Sequence, residues 1–181
     1  MIATYTGRLL DPCNVRHEDI DIADIAHALA LCNRFAGHTQ VPFSVAQHSV
    51  YVSWLSDDPL QGLLHDASEA YLGDVTRSLK HSEAMTRYRM IEAELQCRIY
   101  EKFGCTPVMH PSTHRADDLM CRAEFDLGWG ERASTIRAEW PDLGPLTPNE
   151  RMHLRGLTAW SWTHAEMMFL REFARLTGSH A

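Results

Sequence analysis

Residues 62–69 read GLLHDASE, a short apolar stretch that runs directly into a histidine, an aspartate and, three positions later, a glutamate. An imidazole and a carboxylate buried beside an apolar helix are costly unless both have partners. A buried ion pair would satisfy them. A divalent metal would also do so, because imidazole nitrogen and carboxylate oxygen suit zinc, manganese, iron, cobalt and nickel. On a continuous helix, Glu69 would project over the same face as His65 and Asp66, within reach of a water on such a metal.

The sequence before this stretch predicts two helices. Ser44 and Gln47 have the spacing of a capping box, in which the first and fourth residues bond to each other's backbone, and the helix that follows carries His48. Asp58 followed by Pro59 marks the start of the next helix, since proline fits the first helical position. This second predicted helix includes the His-Asp pair.

Apolar residues at helical spacing predict further helices along the chain. Strong helix formers outnumber β-branched residues, which also favours an all-α fold. We therefore predict one domain over residues 1–181, a bundle of about six or seven helices separated by glycine and proline stops. The predicted segments outside the two helices above run from 22 to about 37, 82 to 103, 112 to 127, 148 onward, and 163 to 177, with an irregular stretch at 128–148.

Composition excludes several classes of protein. The net charge is -7, which argues against a surface for nucleic-acid polymers because such surfaces are basic. The five cysteines are odd in number and lack C-x-x-C spacing, so we expect reduced thiols in a cytoplasmic protein. No apolar run approaches the roughly 20 residues of a membrane span, and no membrane partner is expected.

Two further features gain meaning beside the His-Asp pair. His48 alone is typical of a core histidine with satisfied hydrogen bonds. Asp117, next to Asp118 early in a helix, is typical of acids that complement a helix dipole. Metal sites take ligands from distant segments, so the order of His48, the pair at 65–66 and Asp117 is informative as a set.

This ordered set resembles the HD-domain metal-dependent phosphohydrolases. It is most similar to the small bacterial and phage members that include the 5'-deoxynucleotidases and the phage dATP triphosphohydrolases. The likeness covers about residues 20–125 and includes NRFAGHT at 33–39, SVAQHS at 44–49, LHDASEA at 64–70, and the pairs at 73–74 and 116–117.

The resemblance implies an HD-type helical bundle that binds one divalent transition metal: cobalt, manganese, zinc, iron or nickel, with magnesium also compatible. It also implies that Glu69 assists acid–base chemistry at the attacked phosphate and that Asp74 faces the sugar 3'-hydroxyl. An ordinary Gly-Asp turn is the alternative for Asp74. The implied metal ligands are His48, His65, Asp66 and Asp117.

The same resemblance gives expectations for substrate binding. Arg34 matches a phosphate-binding arginine, and Lys80 lies where relatives place a phosphate-contacting lysine; a surface charge is the alternative for each. Phe35 stands where the deoxynucleotidases usually carry tryptophan beside the nucleoside. His38 is a candidate for phosphate contact or for a structural role. The segment 49–64 is shorter than in the best-known deoxynucleotidases, so substrate details need not transfer.

The predicted function is cleavage of the 5'-phosphoester of a (deoxy)nucleotide. The substrate would be a small molecule, either a dNMP cleaved to deoxynucleoside and phosphate or a dNTP cleaved to deoxynucleoside and triphosphate. Two alternatives remain open: a non-catalytic HD protein that binds metal or nucleotide, and a hydrolase of a signalling nucleotide. By resemblance, the protein is also expected to form a homo-oligomer.

Overall fold

The computed structural model describes residues 1–132 and 143–178, and helices dominate them. The all-α prediction is confirmed, and seven of the helices have six residues or more. The helices are α1 (Ile22–Leu31), α2 (Val45–Leu55), α3 (Pro59–Leu64), α4 (Glu69–Leu72), α5 (Arg77–Lys80), α6 (Thr86–Phe103), α7 (Pro111–Trp129), α8 (Pro148–Leu154) and α9 (Trp162–Thr177), with 3₁₀ turns at His17–Asp19, Arg34–Gly37, Glu83–Met85 and Gly130–Arg132.

A small antiparallel pair of strands precedes the helices. Strand β1 (Ile2–Ala3) pairs with β2 (Leu9–Leu10), and Ile2 is opposite Leu10. In the described part of the chain, no helix has the length and apolar character needed to cross a bilayer. Of the predicted irregular stretch, positions 133–142 lie outside the described residues. The single domain and the homo-oligomer stay predictions.

Helix α2 is the centre of the molecule. Its residues Val45 to Ser53 are all buried, as expected for a helix that packs against neighbours on every side. On one side lies the main apolar core, which includes residues such as Leu29, Leu63 and Phe169 from α1, α3 and α9. On another side a second apolar cluster joins α2 to α7. Polar residues on α2 are therefore held between α3 and α7, where the candidate site lies.

Helix α3 approaches α2 closely at Gly62. A Cβ atom at this position would lie 3.0 Å from the Val52 carbonyl oxygen and 3.1 Å from the Ser53 Cα atom. Because both are backbone atoms, they cannot rotate away. The missing side chain therefore lets the two helices pack at a distance that brings the rings of His48 and His65 together, with centroids 5.1 Å apart.

The sequence predicted the His-Asp pair inside a helix, and this prediction is wrong. The pair lies in a turn between α3 and α4. Helix α3 ends at Leu64, and the Glu69 amide donates to the Asp66 carbonyl oxygen at 3.0 Å, a bond that spans three residues. A 3₁₀ turn has three residues per turn, so residues three apart lie on one side. Asp66 and Glu69 therefore lie on the same side of this 3₁₀-like turn, and they do not belong to one regular α-helix.

Two other expectations are wrong in detail. Helix α1 ends at Leu31, well before Gly37, because the extended chain at Asn33 pairs with Ser44. The predicted capping box is only half formed: the Gln47 amide donates to Ser44 Oγ, but the Gln47 side chain does not return. It bonds instead to the backbone of 158 and 160, which ties α2 to the segment before α9.

Candidate metal centre

Three elements bring the four predicted metal ligands together. His48 comes from α2, His65 and Asp66 from the turn after α3, and Asp117 from α7. The two imidazole Nε2 atoms are 3.2 Å apart. Asp117 Oδ1 lies 3.2 Å from the Nε2 of His48, and Asp66 Oδ2 lies 3.2 Å from the Nε2 of His65. Candidate ligand atoms of the two histidines and Asp66 all lie within 4.8 Å of one another, so one cation could contact each of them.

The outer nitrogen of each imidazole is already engaged. His48 Nδ1 lies 2.6 Å from Glu124 Oε1, and His65 Nδ1 lies 2.8 Å from the Gly62 carbonyl oxygen. A carboxylate and a carbonyl only accept, so each Nδ1 donates. In the neutral rings both Nε2 atoms then carry lone pairs that face each other and two carboxylates. Such a cluster is stabilised by a shared positive charge, either protons or a metal ion.

Electrostatics in this cluster favour bound cations. Burial lowers the pKa of His65, but the Asp66 and Asp117 carboxylates outweigh it and raise that pKa to about 9. Burial raises the pKa of Asp66, yet the His65 ring reverses the shift and holds it far below its usual range. The Asp117 pKa is likewise lowered against its burial, by His48. The carboxylates are thus ionised, and a divalent cation would take the place of imidazole protons.

Glu69 has the environment of a carboxylic acid that keeps its proton. Its side chain is buried, and burial followed by the carboxylates of Asp66 and Asp74 raises its pKa well above the usual value. Its Oε1 accepts from Lys80 Nζ at 3.3 Å, while Oε2 has no hydrogen-bond partner within the described ranges. A buried oxygen without a partner is costly when the group is ionised, which agrees with the raised pKa.

Arg34 and Lys80 are not surface charges. Arg34 is only 9% exposed, and its Nε donates to Glu124 Oε2 at 2.6 Å. Lys80 Nζ lies 2.8 Å from Glu92 Oε1 as well as near Glu69. Burial lowers the pKa of Lys80, but the Glu69 and Glu92 carboxylates raise it above its usual value. Both side chains remain cationic, and both are already paired with carboxylates.

A cavity of about 390 Å³ opens above this cluster. Pockets for small ligands commonly have about 300–1,000 Å³. The cavity brings together seven of the predicted site residues, and its lining consists of Arg34, Phe35, Asp66, Glu69, Asp74, Val75, Thr76, Arg77, Ser78, Lys80, His81, Asp117, Cys121 and Phe125. Asp74 follows Gly73, whose φ of 80° ends α4, and burial raises the pKa of the Asp74 carboxyl.

The backbone is strained at Phe35, which forms part of the aromatic side of the cavity. Phe35 and Ala36 have φ values of 56° and 51°, in the left-handed region that side chains rarely adopt. The Phe35 ring meets the rings of Phe125 and Trp129 edge-on, at centroid distances of 5.0 and 5.2 Å. These contacts hold Phe35 at the cavity, and neither partner ring was predicted from the sequence as part of the site.

His38 is the predicted site residue that the structure leaves outside. It is exposed, and it is absent from the described cavity lining. Its backbone amide donates to the Phe35 carbonyl oxygen, which closes the strained turn. The structure therefore favours the structural alternative for His38 over phosphate contact.

Glu124, which was not predicted from the sequence, is fully buried between His48, a candidate metal ligand, and Arg34. It lies seven residues after Asp117 on α7, so both project from the same helix face. That spacing is common in helices, so it does not by itself mark Glu124 as part of a site. Cys121, between them, lines the cavity, and burial raises the pKa of its thiol to about 12, so it stays protonated.

The chain is similar to bacterial proteins whose names state no activity. No family model matches the sequence. The uncharacterized protein YfdR of Escherichia coli strain K12 is 34% identical over 179 residues, which cover 97% of this chain and 95% of the relative. An uncharacterized protein of Rhodobacter capsulatus, RCAP_rcc00048, is 34% identical over 136 residues, 67% of this chain and 69% of that relative. At this identity over nearly the full length of both chains, the protein belongs to the YfdR family.

Proposed function

We propose that the protein is a divalent-metal-dependent phosphohydrolase of the HD type that cleaves the 5'-phosphoester of deoxynucleotides. The observation that carries the proposal is the donor set at the cavity floor. Two imidazole nitrogens and two carboxylate oxygens lie close together there. The Nδ1 atom of each histidine is hydrogen-bonded on the side of the ring away from the cluster. The ordered His, His-Asp, Asp pattern and its resemblance to HD phosphohydrolases support the same conclusion.

The donor set fits a transition metal. Two nitrogen and two oxygen donors suit manganese, cobalt, iron, nickel or zinc better than calcium or magnesium, which prefer oxygen ligands. His48, His65, Asp66 and Asp117 would hold the ion. When bound, a divalent cation supplies Lewis-acid activation of water and of a phosphoryl group.

Glu69 would donate a proton at the scissile phosphoester, and Arg34 would bind the phosphate. Glu69 has a raised pKa and one unpaired oxygen, so it can give a proton to the leaving 5'-oxygen. Such acid–base assistance is typically worth about 10²–10⁴-fold in rate. Arg34 is held by Glu124 through Nε, and its Nη1 lies 3.5 Å from Asp66 Oδ2 at the edge of the cavity, so a bound phosphate would share this guanidinium with that carboxylate. Lys80 Nζ donates to Glu69 Oε1, which holds the carboxyl group in place.

Charge pairing in the cavity favours a monophosphate over a triphosphate. Each arginine or lysine that lines the described cavity, namely Arg34, Arg77 and Lys80, already forms an ion pair with at least one carboxylate. A triphosphate would need several of these pairs to break. Phe35 and Asp74 both line the cavity, where Phe35 would pack against the nucleoside and Asp74 would accept from a sugar hydroxyl.

A substrate panel tests the proposal. The purified chain is stripped with chelator, reloaded with Mn²⁺ or Co²⁺, and given dNMPs, dNTPs, rNMPs and signalling nucleotides, with products separated by chromatography. We expect metal-dependent release of phosphate from dNMPs, and loss of that release in Asp66→Asn. If the folded, metal-loaded chain hydrolyses none of these nucleotides, the result would favour the alternative of a non-catalytic protein that binds metal or nucleotide. If the chain hydrolyses only the signalling nucleotides, the result would favour the alternative of a signalling-nucleotide hydrolase.

A further inference from the structure

Glu124 contacts both a candidate metal ligand, His48, and the candidate anion-binding residue, Arg34. Its side chain is completely buried on α7. Oε1 accepts from His48 Nδ1 at 2.6 Å, and Oε2 accepts from Arg34 Nε at 2.6 Å. A buried carboxylate is costly unless it is paired, and here each of the two oxygens has its own charged or polar partner.

Each of these bonds fixes the direction of a functional atom. With Nδ1 held by Glu124, the His48 ring has its Nε2 turned toward His65 and Asp117. With Nε held by the same carboxylate, the Arg34 guanidinium plane is fixed, and its Nη1 lies 3.5 Å from Asp66 Oδ2 at the edge of the cavity. Carboxylates behind metal-binding histidines orient the ring and raise its basicity.

We propose that Glu124 is a positioning residue that orients a metal ligand and an anion-binding arginine from a single carboxylate, so that metal affinity and phosphate affinity depend on the same side chain. The metal half of this inference rests on the four-donor cluster alone. The phosphate half rests on the proposed function.

A merely structural role makes different predictions. If Glu124 only neutralised the buried Arg34, its loss would lower stability, but folded molecules would still bind metal with normal affinity. If Glu124 positions His48, folded molecules bind metal more weakly, and the bound metal has altered ligand geometry. Metal affinity per folded molecule therefore separates the two roles.

Variants provide the first test. Glu124→Gln keeps the shape but puts an amide where two donors meet, and Glu124→Asp keeps the charge but is too short to reach both partners. Glu172→Gln is the matched control, because Glu172 is also a buried carboxylate, bonded to Arg175 and Ser53 away from the cavity. Mn²⁺ affinity is measured calorimetrically without substrate, then inorganic phosphate affinity with Mn²⁺ present, and the visible spectrum with Co²⁺.

We expect both Glu124 variants to bind Mn²⁺ about 10–100-fold more weakly, the usual cost of losing such a supporting carboxylate. Phosphate affinity should also fall, and the Co²⁺ spectrum should shift. Glu172→Gln should match the wild type in all three, even if its melting temperature drops. Folded Glu124 variants with wild-type Mn²⁺ affinity and an unchanged Co²⁺ spectrum would overturn the inference.

A measurement on the unmodified protein keeps the test decisive if the variants do not fold. In the Zn²⁺-loaded chain, nitrogen NMR of the histidines should show His48 bound through Nε2 and protonated on Nδ1, with a strongly downfield proton. Binding through Nδ1 would refute the positioning role. If the wild type hydrolyses no phosphoester but its Glu124 variants still lose metal, the proposed function fails while the metal half of this inference stands.

Discussion

Replacing Gly62 by alanine should disturb the fold and the metal centre together. The added Cβ would lie 3.0 Å from the Val52 carbonyl oxygen and 3.1 Å from the Ser53 Cα atom. Since neither backbone atom can rotate away, α3 has to move away from α2. The Gly62 carbonyl also accepts from His65 Nδ1, so this movement carries the His65 ring away from its partner ligand on α2.

The expected cost follows from two opposing effects. Overpacking of a close interior contact typically costs about 1–3 kcal/mol. Alanine is favoured over glycine in a helix by about 0.5–1 kcal/mol, which offsets part of that cost. The two ranges leave a net loss of about 0–2.5 kcal/mol. A loss of about 1–2 kcal/mol, in the middle of that range, lowers the melting temperature by about 2–8 °C in a domain of this size. Mn²⁺ affinity should fall as well, because the two imidazole Nε2 atoms would no longer be held 3.2 Å apart.

Thermal unfolding followed by circular dichroism and Mn²⁺ titration of the folded protein measure these two effects. Gly128→Ala is the control for Mn²⁺ affinity: its Cβ would meet the Thr39 Cγ2 atom at 2.7 Å and the Thr39 Cβ atom at 3.2 Å, so it also creates a close contact, but not between α2 and α3. The control should lower the melting temperature and keep normal Mn²⁺ affinity. If Gly62→Ala melts at the wild-type temperature and binds Mn²⁺ normally, the close approach of α2 and α3 does not set the ligand geometry.

The remaining predictions concern individual side chains. Asp66→Asn should lose bound metal and nearly all hydrolysis while keeping its helical circular dichroism; full metal content by elemental analysis would contradict the ligand assignment. Glu69→Gln should keep the metal but lower kcat by about 10²-fold or more, since the lost proton donor acts in the transition state, and a wild-type kcat would remove it from the mechanism. Dideoxynucleotides should be poorer substrates than deoxynucleotides by about 10²-fold or more, because a site that bonds a hydroxyl rejects an analogue without it; Asp74→Ala should narrow this gap, and equal wild-type rates would show that Asp74 does not bind the sugar. Phe169→Ala in the core should lower the free energy of unfolding, measured with denaturant, by about 3–5 kcal/mol without changing metal affinity per folded molecule. A decrease of less than about 1 kcal/mol would contradict the complete burial of this side chain.

Local sequence signals predicted most helices because caps and stops act within a few residues. Asp21 and Asp58 each accept from a backbone amide two or three residues later, as their positions before apolar runs indicated. The end of α1 was mispredicted because it is decided at long range, by the pairing of Asn33 with Ser44. The turn at 65–68 was mispredicted as regular helix, since the same apolar spacing fits both.

The candidate ligands could be predicted because their order along the chain is distinctive, whereas Glu124 could not. A lone glutamate in a helix is typical of a solvated face, and nothing local marks it as buried. Only the packing of α7 against α2 brings its carboxylate to His48, and only the strained turn at 34–37 brings Arg34 to the other oxygen. Residues that support other functional residues depend on tertiary contacts, so a single sequence gives them no separate signal.

The charges around the cavity favour binding of a cation before an anion. The described lining holds the carboxyl groups of Asp66, Glu69, Asp74 and Asp117, against the three cationic side chains of its arginines and lysine, each of which is already paired. A phosphate dianion entering this lining alone would meet ionised carboxylates with little free positive charge. A divalent ion among the four donors adds two positive charges beside them, which matches the charge of one phosphate monoester. The proposed metal binding and the proposed monophosphate selectivity would thus both follow from the same arrangement of carboxylates.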